Sequence, residues 1–188
     1  MGDTLKRVID VLVASVAGIF LLPLLVASAL LVKLTSKGPV LFTQERVGLG
    51  CRRFMIYKFR TMVVDAEKIG GYQTRQGDPR ITRVGRFLRR SSIDELPQLL
   101  NVIKGDMSLV GPRPDTPMQQ SGYLPRDWVK RHTVRPGITG LAQASIRSLG
   151  TPDERLSLDL RYVEEKSFFF DLKILFLTVK CLFLGKAN

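Results

Sequence analysis

The chain is poor in the residues on which many active sites depend. Among its 188 residues there are two cysteines, Cys51 and Cys181, which lie far apart and outside any paired-spacing motif. A disulfide scaffold and a thiolate zinc site are therefore both unexpected, and a reducing compartment is the default. The single histidine, His132, makes zinc triads and most Ser-His or Cys-His mechanisms hard to build. Carboxylates and cations must carry any chemistry.

Acidic residues are also scarce relative to basic ones. There are 17 Asp and Glu against 29 Lys and Arg, which gives a net charge of +12. Such a surplus favours acidic partners: phosphates, nucleic acid or an anionic lipid surface. Because 45% of the residues are hydrophobic and only 24% are charged, the chain is not a disordered basic tail. Its length fits one folded domain.

A long uncharged segment lies near the N-terminus. Residues 11–32 form a run of 22 residues without a charge, about 33 Å long as a helix, which is the thickness of a bilayer core. Basic residues flank both ends, so the positive-inside rule places both ends on the cytoplasmic side. Pro23 predicts a bend near the middle. A re-entrant helix satisfies both features, although proline also occurs in ordinary spanning helices, and both topologies stay open at this point.

The last apolar segment, residues 168–184, carries Asp171, Lys173 and Lys180 and is too charged to span a membrane. It is either a core-packing helix or an interfacial helix with snorkelling lysines. Between the two apolar ends the pattern predicts strands at 40–43 and 54–59 and a helix at 96–103.

An arginine row precedes the helix of residues 96–103. Arg80, Arg83, Arg86 and Arg89 recur at every third position, and Arg90 follows directly. On a helix several guanidinium groups would share one face, and their planar forks suit phosphate. The alternative is a solvated basic face, or one attracted to anionic headgroups.

A carboxylate pair follows the arginine row. Ser92 and Glu95 match a capping box, which predicts Asp94 and Glu95 in the first turn of a helix. There the helix dipole and the arginines should keep both acids ionised. An ionised Asp94 could attack phosphorus or hold Mg²⁺. Glu95 could equally be only a cap, and Pro97 could instead mark the start of the helix.

Three loops combine glycine, proline or aromatic residues with arginine, at residues 58–62, 111–114 and 135–140. Proline fixes the backbone and glycine permits close approach, so each loop could present an arginine to a diphosphate or nucleotide. Any one of them could also be a structural turn.

The order of four motifs resembles the bacterial sugar transferases, and specifically the small monotopic polyprenyl-phosphate phosphoglycosyl transferases. The motifs are Lys58-Phe59-Arg60-Thr61-Met62, Asp94-Glu95-Leu96-Pro97-Gln98, the segment 105–114 that ends in Gly111-Pro112-Arg113-Pro114, and Arg135-Pro136-Gly137-Ile138-Thr139-Gly140. The resemblance covers nearly the whole chain and implies the shortest, catalytic-core version of the family. It also implies transfer of a sugar-1-phosphate from a UDP-sugar to undecaprenyl phosphate with release of UMP, the first membrane step of bacterial glycoconjugate biosynthesis.

The resemblance further implies roles for individual residues. Asp94 would carry a covalent phospho-sugar and accompany Mg²⁺, and Glu95 would orient the site or handle a proton. Arg89 would hold phosphate, and Pro112 and Arg113 would help form the donor or acceptor pocket. Lys58, Arg60 and Arg135 are placed near substrate by motif membership alone.

We therefore expect an α/β, mainly helical, membrane-associated domain. Residues 1–36 would form a kinked re-entrant helix, with Leu22-Pro23 where the family often has Ser-Pro. Residues 37–188 would form a cytoplasmic catalytic domain on the inner membrane, with a short sheet element, interfacial helices, membrane lipids as partners and no nucleic acid. Two rivals remain: direct transfer in a ternary complex with Asp94 as Mg²⁺ ligand or base, and a membrane-tethered basic protein without catalysis.

Overall fold

The computed structural model describes residues 2–71, 74–75, 77–146 and 150–183. The chain is mostly helical with two small two-stranded sheets, which confirms the expected mainly helical class with a short sheet element. The α-helices are α1 (Asp3–Phe20), α2 (Leu22–Thr35), α3 (Ala66–Gly70), α4 (Arg83–Arg90), α5 (Leu99–Lys104), α6 (Pro125–Arg131), α7 (Leu141–Ser145), α8 (Pro152–Glu165) and α9 (Phe168–Phe183). The strands are β1 (Leu41–Val47), β2 (Arg53–Phe59), β3 (Ser108–Val110) and β4 (Gly137–Thr139).

The N-terminal apolar run forms a bent pair of helices. α1 and α2 meet at Leu21 with a bend of 64°. Pro23 lies in the first turn of α2, where its missing N–H leaves no helical hydrogen bond unmade. The bend predicted at Pro23 is thereby confirmed. Among the described residues, α1 and α2 together have the length and hydropathy of a membrane segment, whereas neither helix reaches them alone.

Polar contacts tie the start of α1 to the body of the protein. The Lys6 ammonium lies 2.6 Å from the Asp171 carboxylate on α9. The Tyr162 hydroxyl donates to the other Asp171 oxygen at 2.8 Å. Further along α1, buried Asp10 accepts a hydrogen bond from the Ser108 hydroxyl at 2.7 Å. α1 is therefore fixed directly to α9 and β3 by charge-assisted bonds, and the shared Asp171 carboxylate joins α8 to the same network.

Strands β1 and β2 pair as an antiparallel hairpin in which Phe42 lies opposite Lys58. The predicted strands at 40–43 and 54–59 are confirmed, with β1 extending further than expected. Asn101 on α5 takes the place of a third strand at the outer edge of β2: it accepts from the Tyr57 N–H at 3.0 Å and donates to the Met55 carbonyl at 2.7 Å. Because Asn101 is fully buried, this contact sets α5 and the segment before it firmly beside β2.

Helix α9 packs on the core, which confirms the first of the two alternatives that the sequence left open, and an interfacial role for its outer face stays a prediction. Asp171 and Ile174 are buried in the core, while Lys173 and Lys180 are exposed. The outer face also exposes Phe169 and other large apolar side chains. α9 therefore packs its inner face on the core and presents an outer face of apolar residues and lysines. The last residue of the predicted segment, 184, lies outside the described residues.

Candidate active site

The segment that carries the carboxylate pair is a 3₁₀ helix over Ile93–Gln98, called here the Asp-Glu segment. The predicted capping box is wrong: Ser92 adopts a left-handed conformation with φ of 56° and its side chain caps nothing. Pro97 has no N–H to donate to a carbonyl four residues back, so the chain tightens here before α5 begins at Leu99. The predicted helix over 96–103 is therefore divided between two kinds of helix.

Glu95 is held by two cations from separate parts of the chain. Its Oε1 accepts from the Lys58 ammonium of β2 at 2.6 Å and from the Arg113 guanidinium at 3.2 Å. Burial opposes its ionisation, but the charges and hydrogen bonds of Arg113 and Lys58 outweigh that effect and lower the pKa of Glu95 to about 2. Glu95 is thus a permanent anion, which favours the orienting role over the proton-handling one.

Asp94 lies beside the same cations but makes no hydrogen bond or ion pair with any described residue. The residue is 9% exposed. Burial, followed by the neighbouring Glu95 charge, raises the pKa of Asp94 to about 6, against the opposing charges of Lys58, Arg89 and Arg113. The expectation that its surroundings favour ionisation is therefore wrong for Asp94. A carboxylate with this pKa is still mostly ionised at pH 7, and its oxygens are not committed to another side chain.

Arg89 approaches the pair from α4. Its Nε donates to the Thr61 hydroxyl at 2.8 Å, and its charge acts on Asp94. The close approach depends on Gly85, because a Cβ there would lie 2.0 Å from the Thr61 carbonyl oxygen. With no side chain at Gly85, α4 packs directly on the chain that follows β2, and Arg89 one turn later reaches the site.

The other arginines of the row do not join Arg89. Arg80 precedes α4 and binds Asp78 with its guanidinium at 2.7 Å. Arg83, Arg86 and Arg90 lie together on the exposed face of α4. The prediction that several guanidinium groups share one face is confirmed for these three, and Arg89 points elsewhere.

Two of the arginines assigned by motif membership lie apart from the carboxylate pair. Arg60 donates to the Ser36 carbonyl at 2.9 Å and to its hydroxyl at 2.7 Å, which joins the end of α2 to β2. Arg135 donates to the Gly105 carbonyl at 3.0 Å. Neither contacts Asp94 or Glu95, and a substrate-binding role for either stays a prediction.

Pro112 lies where two of the predicted loops meet. Strands β3 and β4 run parallel, with Ser108 beside Gly137, and the Pro112 carbonyl accepts from the Gly137 N–H at 2.9 Å. A Cβ at Gly111 would lie 2.3 Å from the Arg135 carbonyl oxygen, so only glycine fits this crossing. Pro112 is buried and directly precedes Arg113. Part of what these motifs encode is therefore the close packing that places Arg113.

The loop that presents Arg113 is braced from outside. Three successive backbone carbonyls of this loop accept hydrogen bonds. The Arg113 carbonyl accepts from Arg131 Nη2 at 2.7 Å, and the Pro114 carbonyl accepts from Arg46 Nη1 at 3.0 Å. The Asp115 carbonyl accepts from the Val47 N–H at 2.9 Å. Sequence reasoning missed Arg46 and Arg131. The loop backbone has little freedom left, so the Arg113 guanidinium is presented to Glu95 from a rigid base.

Arg131 is the main brace. Its guanidinium, 4% exposed, binds the carboxylates of Asp115 and Asp159 as well as the Arg113 carbonyl. The planar fork serves all three acceptors at once, which a lysine ammonium could not do in the same geometry.

A magnesium ion at this site stays a prediction, and Asp94 is the residue of the pair that could hold one. No group of three or more potential metal-binding side chains occurs among the described residues. Mg²⁺ commonly uses one or two carboxylates and completes its shell with water and substrate phosphate. Asp94 has uncommitted oxygens for this, whereas Glu95 is engaged by Lys58 and Arg113.

Comparison with known proteins identifies the family of this chain. The family model described as bacterial sugar transferase matches residues 1–185. The chain belongs to the bacterial sugar transferase family. The resemblance read from the four motifs is thereby confirmed.

Two of three individual relatives are named for undecaprenyl-phosphate chemistry, and the third is named for exopolysaccharide production. An undecaprenyl-phosphate glucose phosphotransferase of Komagataeibacter xylinus is 47% identical over 186 residues, covering 93% of this chain and 35% of the relative. A UDP-glucose:undecaprenyl-phosphate glucose-1-phosphate transferase of Escherichia coli (strain K12) is 44% identical over 191 residues, covering 97% and 41%. The exopolysaccharide production protein PSS of Rhizobium leguminosarum bv. phaseoli is 46% identical over 192 residues, covering 95% of each chain. The chain thus spans well under half of the first two relatives and nearly all of the third.

The unequal environments of the two acids predict opposite effects on the stability of this sugar transferase. The pKa shift of Asp94 from 3.8 to about 6 corresponds to a destabilisation of up to about 3 kcal/mol at pH 7. Asp94→Asn should therefore raise the melting temperature by about 3 to 8 °C. Glu95→Gln should lower it, because the buried Lys58 ammonium loses its carboxylate. Thermal unfolding of both variants at pH 7 measures the two signs.

The pH dependence follows from the same shift. A raised carboxyl pKa means that the native state holds the proton more tightly than the unfolded chain, so the destabilisation appears as pH rises from about 4 through about 6. The gain from Asp94→Asn should be largest above pH 7 and should shrink toward pH 4. A gain that does not change with pH would contradict this account of Asp94.

The hydrogen bond from Arg131 to the Arg113 carbonyl predicts that Arg131 affects activity by positioning Arg113. Arg131→Lys keeps the charge but loses the fork, and should lower kcat/KM for sugar-phosphate transfer about tenfold by misplacing Arg113. In the Arg113→Ala background the same change should cost less than about twofold, because the group that it positions is gone. Equal losses in both backgrounds would assign Arg131 to general stability instead.

Proposed function

We propose that this chain transfers a sugar-1-phosphate from a UDP-sugar to undecaprenyl phosphate with release of UMP. Membership of the bacterial sugar transferase family and the names of the relatives support this chemistry. The observation that carries the proposal is the uncommitted Asp94 carboxylate among the charges of Lys58, Arg89 and Arg113. Since two of the relatives described above are named for glucose, UDP-glucose is the first donor to test.

The proposed first step uses Asp94 as the nucleophile. A carboxylate oxygen attacks the phosphorus that bears the sugar, the phosphoanhydride bond breaks, and UMP leaves with the electron pair. The product is an aspartyl phospho-sugar. Arg89 and Arg113 offer guanidinium forks to the phosphate oxygens, and Lys58 adds a third positive charge, so the cations stabilise the charge that develops during transfer.

In the second step an oxygen of undecaprenyl phosphate attacks the same phosphorus. The bond to Asp94 breaks and the carboxylate is regenerated, which yields the polyprenyl-diphospho-sugar. Glu95 holds Lys58 and Arg113 in place throughout. Mg²⁺, which Asp94 and the substrate phosphates would hold, supplies further neutralisation of negative charge.

A trapping experiment tests this mechanism. Purified protein given labelled UDP-glucose without acceptor should release at most one equivalent of UMP and retain one labelled phospho-sugar at Asp94. Asp94→Asn should show neither, because an amide keeps the size but not the nucleophile. The exposed acid Asp153 provides a matched control, since Asp153→Asn should leave both signals unchanged.

The possible outcomes separate the rivals. Acceptor-dependent release of UMP without any trapped label would favour direct transfer in a ternary complex. Binding of the nucleotide sugar with a steep salt dependence and no release would favour a non-catalytic basic protein.

We further propose that α1 and α2 enter the inner membrane from its cytoplasmic face and return to that face. Support comes from the contacts at the two ends of the pair. Lys6 near the start of α1 is bonded to Asp171, and Ser36 after the end of α2 is bonded to Arg60. Both partners belong to the same body, so a straight span would separate groups that are in contact. The exposed apolar side chains of the pair, which include Ile19, Phe20, Leu22 and Leu34, would lie in lipid.

Cysteine labelling tests this topology. In a background with Cys51→Ser and Cys181→Ser, Gly2→Cys and Lys37→Cys should react with an impermeant maleimide from the same side of the membrane. Arg126→Cys, at an exposed position on the body, marks the cytoplasmic side. Labelling of Gly2→Cys only from the side opposite to Arg126→Cys would contradict re-entry.

A further inference from the structure

The exposed face of α4 carries three arginines that the site does not use. Arg83, Arg86 and Arg90 project from one side of the helix, whereas Arg89 on the other side bonds to Thr61 and acts on Asp94 through its charge. None of the three side chains forms a hydrogen bond or ion pair with a described residue. With Phe87 and Ser91 they line a shallow groove of about 430 Å³.

The spacing of these arginines favours an anionic ligand. Arg83 and Arg86 are three residues apart, and Arg86 and Arg90 are four apart, so like charges repel along one face. α4 contains no acidic residue to relieve the repulsion. An anion in the groove would relieve it, and guanidinium forks bind phosphate oxygens in pairs.

Phe87 indicates which kind of anion fits. Its side chain lies between the arginines, and the residue is 60% exposed. A free phosphate would leave this ring in water. A phospholipid would offer its phosphodiester to the arginines and its glycerol and acyl region to the ring, as aromatic residues prefer at a bilayer interface.

The position of α4 supports a lipid ligand. Leu88 on its inner face is fully buried against Val32 of α2, in a cluster that also includes Leu25 and Ala29. α4 therefore lies along the returning arm of the helix pair. If that pair enters the membrane as proposed above, the groove is at headgroup level.

We propose that Arg83, Arg86, Phe87 and Arg90 form a binding site for an anionic phospholipid headgroup, separate from the site of transfer. The proposal rests on the proposed membrane insertion of α1 and α2 but not on the transfer chemistry. The site holds one face of α4 at the leaflet surface, and the opposite side of the same helix supplies Arg89.

A thermal-shift titration tests this site. The full chain in neutral detergent is titrated with dioctanoyl phosphatidylglycerol, and the expected result is a saturable rise in melting temperature of about 3–6 °C at ten times Kd, weakened by salt. Dioctanoyl phosphatidylcholine, inorganic phosphate and a short single-stranded oligonucleotide are the comparison ligands. Each should give a clearly smaller shift.

The variants locate the effect. Arg83→Gln/Arg86→Gln/Arg90→Gln should lose the shift while keeping or raising the melting temperature without lipid, because repulsion is removed. A matched triple at exposed arginines elsewhere, Arg52→Gln/Arg126→Gln/Arg155→Gln, removes the same charge and should keep the shift. Phe87→Ala should raise the apparent Kd for dioctanoyl phosphatidylglycerol at least threefold. If the glutamine triple does not fold, Arg83→Lys/Arg86→Lys/Arg90→Lys still tests the site. This variant retains the charge and should show a weaker shift.

Several results would overturn the proposal. One is the absence of a melting-temperature shift with phosphatidylglycerol. Another is a shift of the same size with phosphatidylcholine, phosphate or the oligonucleotide. The third is an equal loss of the shift in the two glutamine triples. Release of UMP is assayed on the same samples with UDP-glucose. Normal release without a lipid shift refutes the lipid site alone, and a lipid shift without release refutes the transfer chemistry alone.

Discussion

The contact of Glu95 with Lys58 and Arg113 is the interaction on which the site depends. It joins three distant parts of the chain: the hairpin, the Asp-Glu segment and the loop after β3. Glu95 accepts hydrogen bonds from both cations, whereas they act on Asp94 only through their charge. The adjacent acid is left with positive charge nearby and no direct partner. Neighbouring carboxylates thus differ in their surroundings: Glu95 organises the cations, and Asp94 keeps oxygens free for the proposed reaction.

Two sets of buried hydrogen bonds hold in place the elements that carry Glu95 and its cations. Asn101 fixes α5 to the edge of β2, and Arg131 fixes the backbone of the Arg113 loop. Both braces are buried and fully hydrogen-bonded, so displacing either would leave unpaired polar groups in the interior. Side chains that reach Glu95 from opposite sides are thus carried by elements that cannot easily separate. Long, flexible side chains such as Lys58 and Arg113 lose less entropy on binding substrate when Glu95 has already ordered them.

Local pattern was sufficient for part of this structure and not for the rest. The bend at Pro23 and the two strands of the hairpin follow from proline chemistry and from residue pattern, which depend on neighbouring residues. The pattern of α9 left its packing open, because Asp171, Lys173 and Lys180 do not fall on one face. The capping box failed because Pro97 changed the hydrogen-bonding pattern two residues after Glu95, which turned the first turn of an α-helix into a 3₁₀ helix. The pKa of Asp94 could not be predicted, since it depends first on burial by distant segments. Arg131 belonged to no motif. Its partners Asp115 and Asp159 lie 16 and 28 residues away, and only the packing of α6 against α8 reveals it.

Motif membership identified the right loops but not the right use of every residue in them. Lys58 lies in β2, and Arg60, two positions later, is the first residue after that strand. Lys58 contacts Glu95, whereas Arg60 contacts Ser36 at the end of α2. The reason is that the chain leaves the strand at Phe59, so the alternation that governs β2 no longer applies to Arg60. Arg60 instead joins the end of the helix pair to the hairpin that carries Lys58. One short motif thus links the bent helix pair to the carboxylate pair. In the proposed membrane topology, the position at which α2 ends would set the distance of Asp94 from the bilayer surface.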